Sequence, residues 1–586
     1  MAENRREPLL LLTSKTELSS AHRVWGTGGW LPPDQREALD WLTLARFLGW
    51  GVTVKRWTSS GLDRELLGGS RFIVLACDPD CLGEELVTPL TSRLATEPVL
   101  VVARAATTGR AFARLAEAAR RPEQVTGRSL CWTGPGPQRI WHCRVPLEAS
   151  PLEVSAGTST WATLDGAPLI VARWVGRGVI ATLGFHPSQA RDGNGAATAL
   201  LRHLLIYSAV APVAWLDFEG TLVLRMDDPG GAQNVHSRHW SYPKLGETAW
   251  AAISADLRRR EARLSVCYVA GWVDDGDVGR GTLEISGSRL PRVPGAVYPS
   301  PLVTYQDHAG HSPGILHDYA AEFRGIQALR RAGLGDVELH GYTHMHPDTE
   351  AWAKAPDRYE TAPATSWYRE LGKSAQAIIA ARPPERHPLA LGIAAFQQFF
   401  AVRPTTLICP GDQWTLDIPE RALDLGLQMV GSYYLAIRDG DRFCWTQHVC
   451  APYLDKPDAA WFDTGLPVVG YFHDYELALE GVSWMSRWLD QWQVAGATKL
   501  IDFRELAAAI GCLLHLEECD GALRLQVESE GAPALVRPLP VALHVPGRRL
   551  PAHVSVLLND RALSLPVYPL GDDLGRVILP CSSPSA

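Results

Sequence analysis

Short runs of apolar residues recur along the chain, and the pattern between them changes twice. In the first stretch the runs PLLLLT, FIVLAC and PVLVVAR alternate with segments around Arg36–Leu48 and Gly109–Ala119 whose apolar positions repeat every three to four residues. Short apolar runs read as buried strands and the longer period as amphipathic helices, so this stretch predicts an α/β sandwich. It closes with APLIVARWVGRGVIATLGFHPSQ, two apolar runs about a glycine-bearing turn, and then AATALLRHLLIYSA; these predict a hairpin and a helix.

From Val213 to about Ile510 the runs TLVLRMDD, RLSVCYVAGW, DVELHGYTH, TTLICPGD, LQMVGSYY and PVVGYFHDY are separated by helical patterns. Among those patterns are ETAWAAISADLRRREA, HDYAAEFRGIQALRRAG and SWMSRWLDQWQVAG. Repeated βα units imply a parallel sheet, most simply closed into a (β/α) barrel. Polar residues gather at the C-terminal ends of these strands, where such barrels build their sites. The stretch Val273–Pro313, rich in Gly, Pro and Asp, predicts an extended loop over that end. Beyond Gly511, LRLQVES, LPVALHVP, HVSVLLNDRAL and GRVILP alternate apolar and polar positions, which predicts a small antiparallel β-sandwich. The chain therefore divides into 1–212, 213–510 and 511–586, as its 586 residues are too many for one core.

Composition narrows the classes. An apolar share of 46% with 20% charged residues is that of folded globular protein. A net charge of −8 gives no general pull toward nucleic acid or an anionic membrane. The eleven cysteines are odd in number, scattered and without a CxxC pair, which fits reduced thiols in a cytoplasm. The opening MAENRREPLLLLTSK has too short an apolar run for a signal peptide, and no run approaches the roughly 20 residues that span a bilayer. A soluble, cytoplasmic protein is expected. Tryptophan is abundant at 21 copies, and indole faces suit both apolar cores and stacking on sugar rings.

Two strand ends in the central segment carry candidate chemistry. Asp227 and Asp228 are adjacent carboxylates, which repel unless a cation or proton relieves them, although Asp-Pro-Gly also makes a good turn. Downstream, Glu338-Leu339-His340-Gly341-Tyr342-Thr343-His344 places two histidines four apart, opening a helix or turn from which both imidazoles can reach one point. Two histidines and one carboxylate leave open metal positions for water and substrate.

This pairing resembles the polysaccharide deacetylase (NodB-homology) family, whose fold is a distorted (β/α) barrel, over roughly residues 215–510. The resemblance implies Asp227 as general base. It implies Asp228, His340 and His344 as ligands of one divalent ion, commonly Zn2+, with Fe2+, Ni2+ or Co2+ also suited to such donors. The family's arginine-proline-aromatic motif corresponds to Cys409-Pro410-Gly411-Asp412-Gln413-Trp414, which keeps Pro410 and the aromatic Trp414 but lacks the arginine. Arg225 or Arg438 would have to replace it. The family's histidine general acid corresponds to His473 in Gly470-Tyr471-Phe472-His473-Asp474-Tyr475, where Asp474 could influence the imidazole. Pro410, Gly411, Trp414, Arg225 and Asp474 are the substrate-side candidates. The two metal motifs lie further apart than is usual in the family. The excess falls largely in Val273–Pro313, which would cap the pocket and restrict substrate size. His236, His239, His308, His311 and His346 flank these loops as solvated residues or extra ligands.

The first segment resembles the class I glutamine-amidotransferase-like fold, a flavodoxin-type sandwich. Its strand-to-helix turn VLVVARAATTGRAF has no cysteine, and Cys77 and Cys81 follow a different strand, so this domain is expected to be non-catalytic. The function implied is a metal-dependent amide hydrolase acting on a non-peptide C–N bond. It would remove an N-acyl group, N-acetyl above all, from an amino sugar or related small molecule. One rival is a glycosidase pairing Asp227 with Asp463 or Glu476 across a sugar. Another is an inactive sugar-binding protein using Trp240, Trp272, Trp367, Trp414, Trp461 and Trp484 as platforms. The expected partner is a carbohydrate or small-molecule substrate, not nucleic acid or membrane, and self-association through a flanking domain stays open.

Overall fold

The computed structural model describes residues 8–13, 33–57, 67, 69–190, 195–232, 241–308, 314–360, 367–415, 417–432, 435–440, 442–446, 457–519, 521–529, 531 and 533–581. The architecture is mixed α/β and multidomain, with several sheets. The first sheet has nine strands. Its parallel run is ordered Val52–Arg56, Leu9–Thr13, Phe72–Ala76, Leu100–Arg104, Gly178–Leu183. Antiparallel strands Ala167–Val175, Ser159–Leu164, Val125–Trp132 and Arg139–Ala149 extend it. Leu9 and Leu11 face one core and Leu10 and Leu12 another, which is why these strands read as unbroken apolar runs. The predicted helices flanking this sheet span Pro33–Phe47, Ala111–Ala116 and Gly195–Tyr207.

The central sheet carries the candidate site. Its strands are β1 Thr221–Asp227, β2 Leu264–Tyr268, β3 Gly335–Leu339, β4 Thr406–Ile408, β5 Met429–Gly431, β6 Leu435–Asp439, β7 Arg442–Thr446, β8 Val468–His473 and β9 Lys499–Ile501. Helices α1 Glu247–Arg259, α2 Tyr319–Arg331 and α3 Asp474–Glu480 lie between or after them. The order is β7-β6-β5-β4-β3-β2-β1-β8, and β9 pairs with the first half of β1. Pairing is parallel from β5 to β8 and antiparallel at β6 and β7. The result is a half-barrel. Among the described residues no ladder joins β7 to β8, where the sequence reading expects closure. Because the strands run parallel, Asp228, His340, Cys409, Ser432 and His473 all lie at one edge, following or ending β1, β3, β4, β5 and β8.

The stretch read as an extended loop is largely folded. Gly271–Val273 pairs with Val297–Pro299, while Gly281–Ile285, Ser288–Arg289, Val303–Asp307 and Ile315–Asp318 form an antiparallel sheet. Trp272, Leu283, Val303, Tyr305 and Tyr319 make its small core. The Arg292 side chain, 4% exposed, pairs with Asp274 at 2.7 Å and also with Asp275. Strands this short, broken by Gly and Pro turns, leave too few alternations to be read from sequence.

The C-terminal segment forms two four-stranded sheets. They are mainly antiparallel, but Ala522–Ser529 and His553–Leu558 pair in parallel. Val213–Leu216, assigned to the central segment by its sequence position, pairs with Leu539–His544 in one of these sheets. A single apolar cluster runs from Leu9 of the first sheet to Leu579 of the last. No helix among the described residues is long and apolar enough to cross a membrane.

Candidate metal centre

Strand β1 is buried along its whole length, and its alternation puts Arg225 and Asp227 on one face. Arg225 Nε donates to Asp227 Oδ1 at 2.7 Å, and its terminal nitrogens donate to Asp227 Oδ2 and, at 2.7 Å, to the Ser432 carbonyl. The guanidinium also lies 4.4 Å from the centre of the Tyr471 ring, its cross-strand neighbour in register. Of the two arginines considered in place of the one absent after β4, Arg225 is the one that contacts Asp227. Arg438 is held elsewhere, donating to the carbonyls of Gly440 and Leu423. Burial is the largest influence and pushes the Asp227 carboxyl up, but the charge and hydrogen bonds of Arg225 together with the His340 and His473 charges outweigh it and hold the group below the usual carboxylate range.

Asp228 leaves the strand in a left-handed conformation, φ 75°. Its Oδ1 lies 3.3 Å from His340 Nε2 and 3.6 Å from His344 Nε2. The three ligand atoms lie within 4.8 Å of one another, and all three residues are buried. Burial again opposes ionisation of Asp228, yet the hydrogen bond from His340 and the nearby imidazoles hold its carboxyl far below the usual range. His340 Nδ1 lies 3.0 Å from the Ile408 carbonyl, a contact that orients the ring with Nε2 toward Asp228. For His340, burial is outweighed by the two aspartates and the pKa is raised. For His344, burial and the His340 charge dominate and push it down to about 4. A buried carboxylate whose ion-pair partners among the described residues are two imidazoles, with no Lys or Arg on its oxygens, fits a divalent cation.

The His340–His344 segment is a loop with Gly341 at φ 69° and His344 at φ 57°, not the opening turn of a helix. Its shape is set by Glu370, which the sequence reading missed. This buried carboxylate accepts from the amides of Tyr342 (2.7 Å) and Thr343 (2.9 Å) and from the Thr343 hydroxyl (2.9 Å). A Cβ at Gly341 would stand 2.1 Å from Glu370 Oε2 and 2.5 Å from Pro410 Cγ, so only glycine fits there. Nothing local around Glu370 signals this role; it becomes visible only once the loop is folded against it.

His473 ends β8 directly across from Asp227 in register. It N-caps α3, its amide donating to Glu476 at 2.8 Å, and its Nδ1 lies 3.9 Å from the same carboxylate. Burial disfavours the imidazolium, but the Glu476 hydrogen bond and the charges of Asp228 and Asp227 outweigh it and push the pKa up to about 9. Pro410 and Gly411 form a tight turn packed on the histidine loop, Gly411 at φ 61°.

Two substrate-side candidates are buried. Trp414 is buried in the apolar core of the central sheet, and Asp474 is fully buried and engaged by Tyr242 and Lys244. His308 contacts Thr282 of the Gly281–Ile285 strand, and His346 accepts from the Asp348 amide. His236, His239, His311 and Trp240 lie outside the described residues. Of the candidate sugar platforms, Trp272 is core, Trp367 bonds Asp357, and Trp484 stacks on Trp488.

No family profile and no curated protein matches the chain. Among solved structures, a presumed polysaccharide deacetylase from Mycobacterium smegmatis is similar at 11% identity and a TM-score of 0.29, over 50% of this chain and 92% of that one. A GH42 β-galactosidase from G. stearothermophilus is similar at 12% identity and a TM-score of 0.23, over 31% of this chain and 28% of that one. The chain thus spans under a third of that enzyme's length. A cytoplasmic protein from Salmonella typhimurium LT2 is similar at 14% identity and a TM-score of 0.22, over 30% and 87%. At these scores none of them assigns a fold family or an activity.

Proposed function

We propose that this chain is a metal-dependent hydrolase that removes an N-acyl group, N-acetyl in the first instance, from an amino sugar or related small amide. The observation that carries the reading is the buried Asp228, His340 and His344 cluster beside a second carboxylate, Asp227, that is paired instead with Arg225. When bound by those three residues, a divalent cation supplies a Lewis acid and lowers the pKa of water. Asp227 accepts the proton from the attacking water on its carboxylate, which Arg225 holds ionised and aligned. The Gly411 amide, on the turn against the histidine loop, is offered to the developing oxyanion. His473 carries a proton at neutral pH; with Nδ1 toward Glu476, Nε2 delivers it to the departing amine, leaving free amine and carboxylate. The arrangement of the central half-barrel supports the deacetylase-type reading of residues 213–510, between an N-terminal domain 1–212 and a C-terminal 511–586 completed by Val213–Leu216. The parallel order of the first sheet is that of flavodoxin-like sandwiches, which supports the amidotransferase-like reading. Ala105 and Ala106 follow the strand where a nucleophile would stand, which supports a non-catalytic role.

Metal analysis of purified protein, with acetate release from a panel of N-acetylated sugars, tests the proposal. About one divalent ion per chain, lost in His340→Ala and His344→Ala with the fold intact, is the expected result. Full turnover by metal-free protein overturns it. Release of free sugar without acetate would transfer the site to the glycosidase reading.

A further inference from the structure

Lys244 stands in the irregular segment before α1, and its side chain is wholly buried. Its ammonium donates to Asp474 and, at 3.2 Å, to the backbone carbonyl of Asp228. Glu322 of α2 lies 3.4 Å from the same nitrogen, and its other oxygen accepts from the Gly230 amide at 2.7 Å. The rings of Tyr242 and Tyr319 each sit 5.6 Å from the charge, and the Tyr242 hydroxyl donates to Asp474. A lysine is almost never sealed from water unless its charge is answered, and here two carboxylates and a carbonyl answer it.

What this network holds is specific. Asp228 at φ 75° and Gly230 at φ 91° form the left-handed turn that carries one presumptive ligand, and a non-glycine residue persists there only where its surroundings over-determine it. Lys244 grips that turn at the Asp228 carbonyl, and Glu322 grips it at the Gly230 amide. Through Asp474 the same ammonium grips the residue after His473, at the end of the strand paired with β1. We infer that Lys244 is a positioning residue that fixes the Asp228 ligand and the His473 strand end relative to each other. The inference rests on the metal-centre reading above.

Field and position oppose each other in the test, which makes it decisive. Lys244→Met removes a cation beside a cation site, so electrostatics alone would tighten metal binding; only lost positioning can weaken it. Lys244→Met/Asp474→Asn removes one charge of each sign, leaves no orphaned partner on Asp474, and reads positioning at constant net charge. Metal-free full-length protein is titrated with Co2+, following its visible d–d absorption, with far-ultraviolet circular dichroism to establish folding. In whichever variants fold, Co2+ should bind roughly 10–100-fold more weakly, with a changed d–d band. Wild-type affinity and spectrum in the double variant, or tighter binding in Lys244→Met, overturns the positioning role. Wild-type protein that takes up no Co2+ instead sinks the metal-centre reading, and the role of Lys244 with it.

Discussion

Replacing Arg225 by methionine strikes the electrostatic core of the candidate site. The guanidinium makes two bonds to Asp227 and one to Ser432, and its side chain is 2% exposed. Methionine occupies much of that volume but brings no charge, so the Asp227 carboxylate is left buried without its guanidinium partner. Removing one partner of a buried pair costs about 3–5 kcal/mol. In the wild type the folded pKa of Asp227 is depressed, so its ionisation stabilises the fold above the unfolded-state pKa, and that contribution is lost as pH falls through the folded value. In the variant the order reverses, because burial, the largest influence, is then opposed only by the more distant His340 and His473 charges. The charge then destabilises at neutral pH, and protonation relieves it as pH falls. Denaturant unfolding of metal-free protein should show a loss of about 3–5 kcal/mol near pH 7.5 and a clearly smaller loss near pH 5. The acid limb of the activity profile should move to higher pH. An equal loss at both pH values, or one below about 1 kcal/mol, refutes the idea that Arg225 keeps Asp227 ionised.

Asp227→Asn keeps the side-chain shape but loses the proton acceptor, so turnover should fall roughly 10²–10⁴-fold with metal content near wild type. Asp228→Asn should lose metal, and the opposite pattern in metal analysis overturns the division of roles. Glu370→Ala orphans the amides of Tyr342 and Thr343 at about 1–3 kcal/mol each. Metal affinity should fall with stability in that variant, whereas Glu370→Gln keeps an acceptor oxygen and should retain more of both. His473 is protonated below about 9, so rates governed by amine departure should decline as pH rises through that value. His473→Asn should accordingly slow amide cleavage more than cleavage of an activated phenyl ester. Cys77→Ser should leave turnover unchanged, since burial pushes that thiol up to about 12; lost activity with an intact fold would give the N-terminal sheet a catalytic part.

The parallel strands were legible because burial on both faces leaves unbroken apolar runs, and the seven residues of β1 are buried without exception. Asp228, His340 and His344 were legible because metal binding draws on few residue types, and parallel strands deliver their ends to one edge. Direction of side chains was not. Trp414 follows the proline the family motif requires, yet turns into the core, and Asp474 follows His473 yet turns to Lys244. Adjacency in sequence does not tell which face a residue takes once a strand has ended in a tight turn. Glu370 and Lys244 were invisible for a different reason. Each acts on backbone groups of distant turns, through contacts that no local period records. The open half-barrel and the small sheet of residues 281–318 depend on pairings between short segments, where periodicity has too few residues to speak.

Arg225 marks the boundary between these cases. A charged residue inside TLVLRMD breaks an otherwise apolar run, which shows from sequence that something must answer the charge. The period of two then names Asp227 as the partner, since i and i+2 share a face of a strand. Asp228, one residue on, would point to the opposite face if β1 continued. Instead the strand ends, the backbone turns left-handed at φ 75°, and the carboxylate meets two imidazoles. Adjacent ionised acids can therefore hold different partners. One is paired with a buried arginine, and the other meets two imidazoles in a cluster that could hold a metal ion. That separation is what the proposed base and ligand, side by side, would require, and it is produced by the end of one strand.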